Sequence, residues 1–135
     1  MPYSIFIVED HAAIRLVYTK LINREADLSI CGEAAAAQTA LAFFATIRPD
    51  LVLVDIALPG MSGLALVEQL QGYEPPLLAL VISGHEEELY AQQALRSGAR
   101  GYLIKDGMAA HLIPAIHQIL AGKLYLSPQL HHLRG

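Results

Sequence analysis

The 135-residue sequence predicts a parallel α/β fold. Three observations carry that prediction. Five apolar runs of strand length alternate with segments of helix length. The runs at 51–54 and 77–82 are apolar throughout, as in strands covered on both faces. The first, third and fifth runs each end on charge: Glu9-Asp10, Asp55 and Lys105. In a parallel sheet the carboxyl ends of the strands open onto one edge, where ligands bind.

The elements follow in order. Residues 3–8 read as the first strand. Residues 11–24 carry Ile14, Val17, Tyr18, Leu21 and Ile22 at helical spacing. A second, weaker strand is expected at 28–32. An alanine-rich helix follows at 34–47, stopped by Pro49. The third strand covers 51–54, and Pro59, Gly60 and Gly63 punctuate the loop after it. A helix at 64–70 ends before Gly72 and Pro75-Pro76. The fourth strand, 77–82, leads into a tight Ser83-Gly84 turn. A helix from Glu86 to Ser97 has acids in its first turn, as the helix dipole favours, and Gly98 at its far end. The fifth strand covers 100–104. The last helix is expected at 108–121, although Pro114 also suits a first turn and would start the helix nearer Ile113. Residues 1–122 thus read as one domain, and 123–135 as the start of a linker outside the folded unit.

Composition narrows the function. At 54% hydrophobic the chain has material for a core, and its net charge of −4 disfavours direct binding to nucleic acid. No apolar stretch reaches the ~18 residues of a membrane span, and the first apolar run has no basic lead. The single cysteine, Cys31, is expected to be a buried structural thiol. These features point to a soluble cytoplasmic chain with no membrane partner.

Taken singly, each charged residue has a bland reading. Asp55 is a turn cap, Asp10 an N-cap for the first helix, Lys105 a solvated lysine, Ser83 a turn serine. Taken together, they sit on one edge. Glu9, Asp10 and Asp55 would suit a hard divalent cation such as Mg²⁺, which takes oxygen ligands. The cation would offset the repulsion between a carboxylate nucleophile and a phosphoryl donor. Lys105 would meet a phosphoryl oxygen, Ser83 would donate a hydroxyl hydrogen bond, and Gly84 would leave room beside the backbone. That is phosphoryl chemistry on Asp55. His85 is expected to face solvent, and neither His131-His132 nor the remaining histidines have metal-ligand spacing.

The set Glu9-Asp10, Asp55 with Pro59-Gly60 and Gly63, Ser83-Gly84 and Tyr102-Leu103-Ile104-Lys105 resembles the response-regulator receiver domain of two-component signalling. The resemblance runs over residues 3–122. It implies a flavodoxin-like, doubly wound (βα)5 fold with five parallel strands in the order 2-1-3-4-5. It implies that Asp55 accepts a phosphoryl group from a sensor histidine kinase. It further implies that Glu9, Asp10, Asp55 and the Ala57 carbonyl hold Mg²⁺, and that Ser83 and Tyr102 form the switch. The chain would then be no enzyme beyond self-catalysed gain and loss of phosphate. Val8-Glu9-Asp10-His11 and the stretch 122–128 are similar to regulators with a LuxR-type helix-turn-helix after the receiver. The resemblance so implies homodimerisation on activation, and DNA contact only through a C-terminal domain absent from this chain. Residues after 128 are too few for such a domain, so a receiver cut from a longer transcription factor is expected over a natural stand-alone one.

Three other functions compete. A haloacid-dehalogenase-type phosphatase wants an acid two residues after the nucleophile, where this chain has Ala57. A flavin carrier wants a Ser/Thr/Gly-rich phosphate loop after the first strand, where Glu9-Asp10 would repel phosphate. A phosphorylation-independent receiver-like interaction module is disfavoured by the intact acids and lysine. Ala57 is also smaller than the side chain common at that place in receivers, which leaves the site open.

Overall fold

Alternating side chains along each strand decide the layers. In the computed structural model, which describes residues 2–85 and 88–134, strand β1 (Tyr3–Val8) sends Ile5 and Ile7 to one face and Phe6 and Val8 to the other. Strand β3 (Leu51–Asp55) does the same with Leu51 and Leu53 against Val52 and Val54. Helices α1 (Ala12–Asn23) and α5 (Met108–Leu120) cover the first face through Tyr18, Ile22, Leu112, Ile116 and Ile119. Helices α2 (Ala37–Phe43), α3 (Gly63–Leu70) and α4 (Glu88–Ser97) cover the second through Ala40, Leu66, Leu70, Ala91 and Ala94. The remaining strands are β2 (Leu28–Ala34), β4 (Ala79–Ser83), β5 (Gly101–Ile104) and β6 (Tyr125–Leu126).

All the strand pairs are parallel, in the order β2-β1-β3-β4-β5-β6. The doubly wound core is as expected, but the sheet has six strands where five were expected. The tail is likewise not outside the folded unit. Beyond β6, a 3-10 helix at Pro128–Arg134 follows, and Leu126 and Leu130 are buried in the same cluster as α4. Ser127 Oγ accepts from the Ile104 amide at 2.8 Å, and the Ser127 amide donates to the Tyr102 carbonyl at 3.1 Å. The tail therefore satisfies backbone groups that β5 would otherwise leave open at its edge.

Other boundaries moved for local reasons. β2 continues to Ala34 and pairs with Val8, so α2 starts later than its alanine run suggests. α5 begins at Met108 and runs through Pro114, so the alternative start near Ile113 does not occur. The N-cap of α1 is His11 with no side-chain cap, so Asp10 does not serve as the cap. The expected start of the fourth helix at Glu86 lies outside the described residues. Cys31 is half-buried, its Sγ 3.5 Å from the Ile5 carbonyl, and burial pushes the thiol up.

Candidate functional site

Parallel pairing carries the chemistry to one edge. β1 and β3 align Val8 with Val54, so Glu9 and Asp55 follow side by side. β4 is bonded to β5 in register, with Ser83 opposite Ile104, and the Lys105 amide donates to the Ser83 carbonyl at 2.7 Å. The loop after Asp55 is folded tightly against the strand end. The Gly63 amide donates to the Ile56 carbonyl at 3.2 Å, and a Cβ on Gly63 would run into the Asp55 carbonyl. Ser62 then caps α3 by accepting from the Ala65 amide at 3.1 Å.

Three of the expected residues, Glu9, Asp55 and Lys105, meet directly. Glu9 is 0% exposed and Asp55 4%, an unusual depth for carboxylates. Lys105 Nζ lies 3.2 Å from Glu9 Oε1 and 3.6 Å from Asp55 Oδ2. The contact with Glu9 Oε1 is an ion pair without hydrogen-bond alignment, and that buried oxygen accepts no hydrogen bond among the described residues. Asp10 stands at the more exposed rim. Burial pushes the Asp55 carboxyl above its ordinary value; Glu9 adds to this, while the Ala57 amide (3.2 Å from Oδ1) and Lys105 oppose it. Burial also acts to raise Glu9, but hydrogen bonds with the His11 amide and ring and with Asp55, together with the positive charge of Lys105, outweigh it and leave Glu9 lowered.

Ser83 and Tyr102 sit beside this cleft and are linked through His85. Ser83 Oγ accepts from the His85 amide at 3.0 Å, and the buried Tyr102 hydroxyl donates to the His85 carbonyl at 2.8 Å. His85 itself is exposed, as expected, and its ring stacks on Tyr90 at 4.2 Å. Among the described residues, a Cβ on Gly84 would meet nothing within 4 Å.

Two participants escaped the sequence reading. His11 Nδ1 is 3.1 Å from Glu9 Oε2 and 3.2 Å from Asp10 Oδ1, which brings a histidine nitrogen into the group of side chains that could share an ion. Its signal was only adjacency to the acidic pair; metal spacing rules look for ligands separated along the chain. Arg15 Nη1 donates to the Glu9 carbonyl at 2.7 Å and its Nε pairs with Glu33 at 3.2 Å, tying α1 to the strand end. The helical period that placed Ile14 and Val17 does not reveal such a contact.

Residues 5–117 match the response regulator receiver domain family. The chain belongs to that family. The receiver is 34% identical over 131 residues to the nitrate/nitrite response regulator protein NarL of Escherichia coli K12, covering 96% of this chain and 60% of that protein. It is 32% identical over 127 residues to the transcriptional regulatory protein DesR of Bacillus subtilis 168, covering 94% and 63%. The chain thus spans about three fifths of the length of these curated relatives. Among solved structures, a LuxR-family two-component response regulator from Aurantimonas sp. SI85-9A1 superposes with a TM-score of 0.92 at 31% identity, covering 98% of this chain and 94% of that one. The receiver domain of the putative response regulator NarL from Mycobacterium tuberculosis gives 0.85 at 29% identity, covering 90% and 98%. The similarity extends to the LuxR-type branch. Receiver domains are generally phospho-acceptors that bind Mg²⁺ at an acidic pocket, and this chain has an acidic cluster of Glu9, Asp10 and Asp55 at the corresponding sheet edge.

Proposed function

We propose that this receiver is a switch charged at Asp55. The observation that carries the reading is the buried pair Glu9 and Asp55 facing Lys105, with one Glu9 oxygen accepting no hydrogen bond among the described residues. Two buried carboxylates against one ammonium leave surplus negative charge, which suits a hard divalent cation. Glu9, Asp10, Asp55 and the Ala57 carbonyl would hold Mg²⁺. Once bound, that ion supplies charge neutralisation for in-line transfer.

The protein groups do the rest. Asp55 Oδ2 faces Lys105, whose ammonium pairs with the incoming phosphoryl oxygens. Asp55 Oδ1 accepts from the Ala57 amide, which fixes the carboxylate and leaves Oδ2 to attack. Ser83 exchanges its contact with the His85 amide for the phosphoryl group, with Gly84 opening the backbone beside it. That exchange loosens His85, the residue whose carbonyl holds the Tyr102 hydroxyl. Tyr102 and Ile104 on β5 are in turn bonded to Ser127. Phosphate at Asp55 so reaches the tail through a short series of hydrogen bonds.

The output follows from the LuxR-type branch. A sensor histidine kinase supplies the phosphoryl group, self-catalysed transfer and hydrolysis accompany it, and the receiver controls a DNA-binding domain beyond residues 123–135. Response regulators often dimerise, and two faces offer themselves. One is the surface of α4, β5 and α5, now edged by β6. The other is around α1 and α5, where Leu16 and Val17 stand exposed.

The test is phosphoryl incorporation from acetyl phosphate with Mg²⁺, read by intact mass on wild type and Asp55→Asn. A metal-dependent gain of ~80 Da that vanishes in the variant is expected. A gain that persists in Asp55→Asn would overturn Asp55 as acceptor.

A further inference from the structure

Among the described residues, the acidic cleft brings a histidine nitrogen beside its carboxylate oxygens. We propose that His11 is a metal-selecting residue, which turns the cleft into a mixed nitrogen and oxygen site favouring late first-row divalent ions such as Ni²⁺ and Co²⁺ over Mg²⁺. The inference rests on the cation site read above.

Geometry carries it. One donor atom from each of Glu9, Asp10, His11 and Asp55 lies within 4.8 Å of the others, close enough to share an ion. The imidazole Nδ1 donates to Glu9 Oε2 at 3.1 Å and lies 3.2 Å from Asp10 Oδ1; as a ligand it would carry its hydrogen on Nε2 instead and turn the Nδ1 lone pair to the ion. Backbone conformation holds the ring there. His11 is extended (φ −90°, ψ 113°) as the N-cap of α1, and its amide donates to Glu9 Oε2 at 3.1 Å. The ring is 65% exposed, so it can turn toward an ion without disturbing packing. The other oxygen of Glu9, the buried Oε1, faces Lys105 at 3.2 Å and accepts no hydrogen bond among the described residues.

Chemistry supplies the direction. Mg²⁺ prefers oxygen ligands and retains waters, so an imidazole beside it adds little. Ni²⁺ and Co²⁺ gain from nitrogen, and their affinities rise along the first-row order. His11 therefore widens the gap between these ions and Mg²⁺. Carboxylates alone would leave a narrower one.

The experiment is calorimetric titration of the untagged protein with Ni²⁺ and with Mg²⁺, with Co²⁺ visible absorption as a second readout. A His117→Ala background removes the separate surface cluster of Glu25, Asp27 and His117. Adding His11→Ala should weaken Ni²⁺ by about tenfold or more and change the Co²⁺ spectrum, with Mg²⁺ altered less than about twofold. Equal effects on both ions, no effect on either, or tighter binding without the imidazole would overturn the assignment. Asp55→Asn separates the two readings. If it abolishes Mg²⁺ binding while His11→Ala changes nothing, only the His11 role falls. If it leaves every affinity unchanged, the cleft is not the site and both fall.

Discussion

Tyr18 on α1 is 1% exposed, and its hydroxyl has no hydrogen-bond partner among the described residues. Burial, joined by the negative charge of Glu9 and Asp55, pushes the phenol far above its ordinary value, so it stays neutral. A buried unpaired hydroxyl costs free energy that its ring must offset. Tyr18→Phe keeps the ring and should raise unfolding free energy by up to about 1 kcal/mol in urea titration. A loss of similar size would mean that the hydroxyl is paired after all. Asp55 permits a second prediction, with its sign set by burial. Its folded carboxyl is raised above the ordinary 3.8, so the folded state holds that proton more tightly than the unfolded chain. The contribution is greatest below 3.8 and is lost as pH rises through the raised value. Asp55→Asn, without metal, should therefore be more stable than wild type at pH 7, by an amount of order 1 kcal/mol. The gain should shrink as pH falls toward 3.8. Glu9, being lowered, acts oppositely, so the comparison of variant with wild type isolates Asp55 better than the wild-type profile alone. A wild type more stable than the variant at pH 7 would contradict this sign.

Among the elements, β6 and the 3-10 helix after it are ones the sequence could not reveal. Two residues have no period, and Tyr125-Leu126 between Lys123 and Pro128 reads as linker. What makes it a strand is the open edge of β5, a tertiary fact. β1, β3, β4 and β5 were legible as apolar runs bounded by polar or small residues, whereas β2, with Ser29, Gly32 and Glu33 inside it, gave the weaker signal. α2 was misjudged because alanine suits a helix wherever it falls, and only pairing with β1 shows that Ala34 belongs to β2. The tail's role gives a direct prediction. Ser127→Ala leaves the buried Ile104 amide without its acceptor and should cost about 1–3 kcal/mol in denaturant midpoint analysis. Leu130→Ala, removing a side chain that is 2% exposed, should cost about 2–5 kcal/mol. If both changes proved neutral, the tail would not be docked in solution, and the hydrogen-bonded route from Ser83 to Ser127 would carry nothing.

At the scale of the whole molecule, the site exists only because the sheet assembles it. Glu9, Asp55 and Lys105 were legible one by one, as charge ending an apolar run, since in a parallel sheet such ends share an edge. What the sequence withheld was depth. Nothing in the order of residues says that Glu9 is wholly buried while Asp10 stands at the rim, because that depends on how α1 and its Arg15 close over the strand end. Depth turns the site into a reserve of unfavourable charge, and a divalent cation that relieves it must favour the folded state. The unfolded chain scatters Glu9, Asp10 and Asp55 and binds the ion weakly. Linkage then predicts a rise in thermal midpoint with Mg²⁺. At a hundredfold excess over Kd the stabilisation is ~2.7 kcal/mol, which for a 135-residue domain is on the order of 10 °C. Differential scanning fluorimetry across a Mg²⁺ series would measure it, with matched ionic strength to remove screening. Asp55→Asn and Asp10→Asn should each flatten the response. The Asp55 variant should also begin from a higher midpoint, having already lost the charge that the ion neutralises. A Mg²⁺ response of equal size in all three proteins would mean that the ion acts elsewhere, and the acidic edge of the sheet would lose its claim to it.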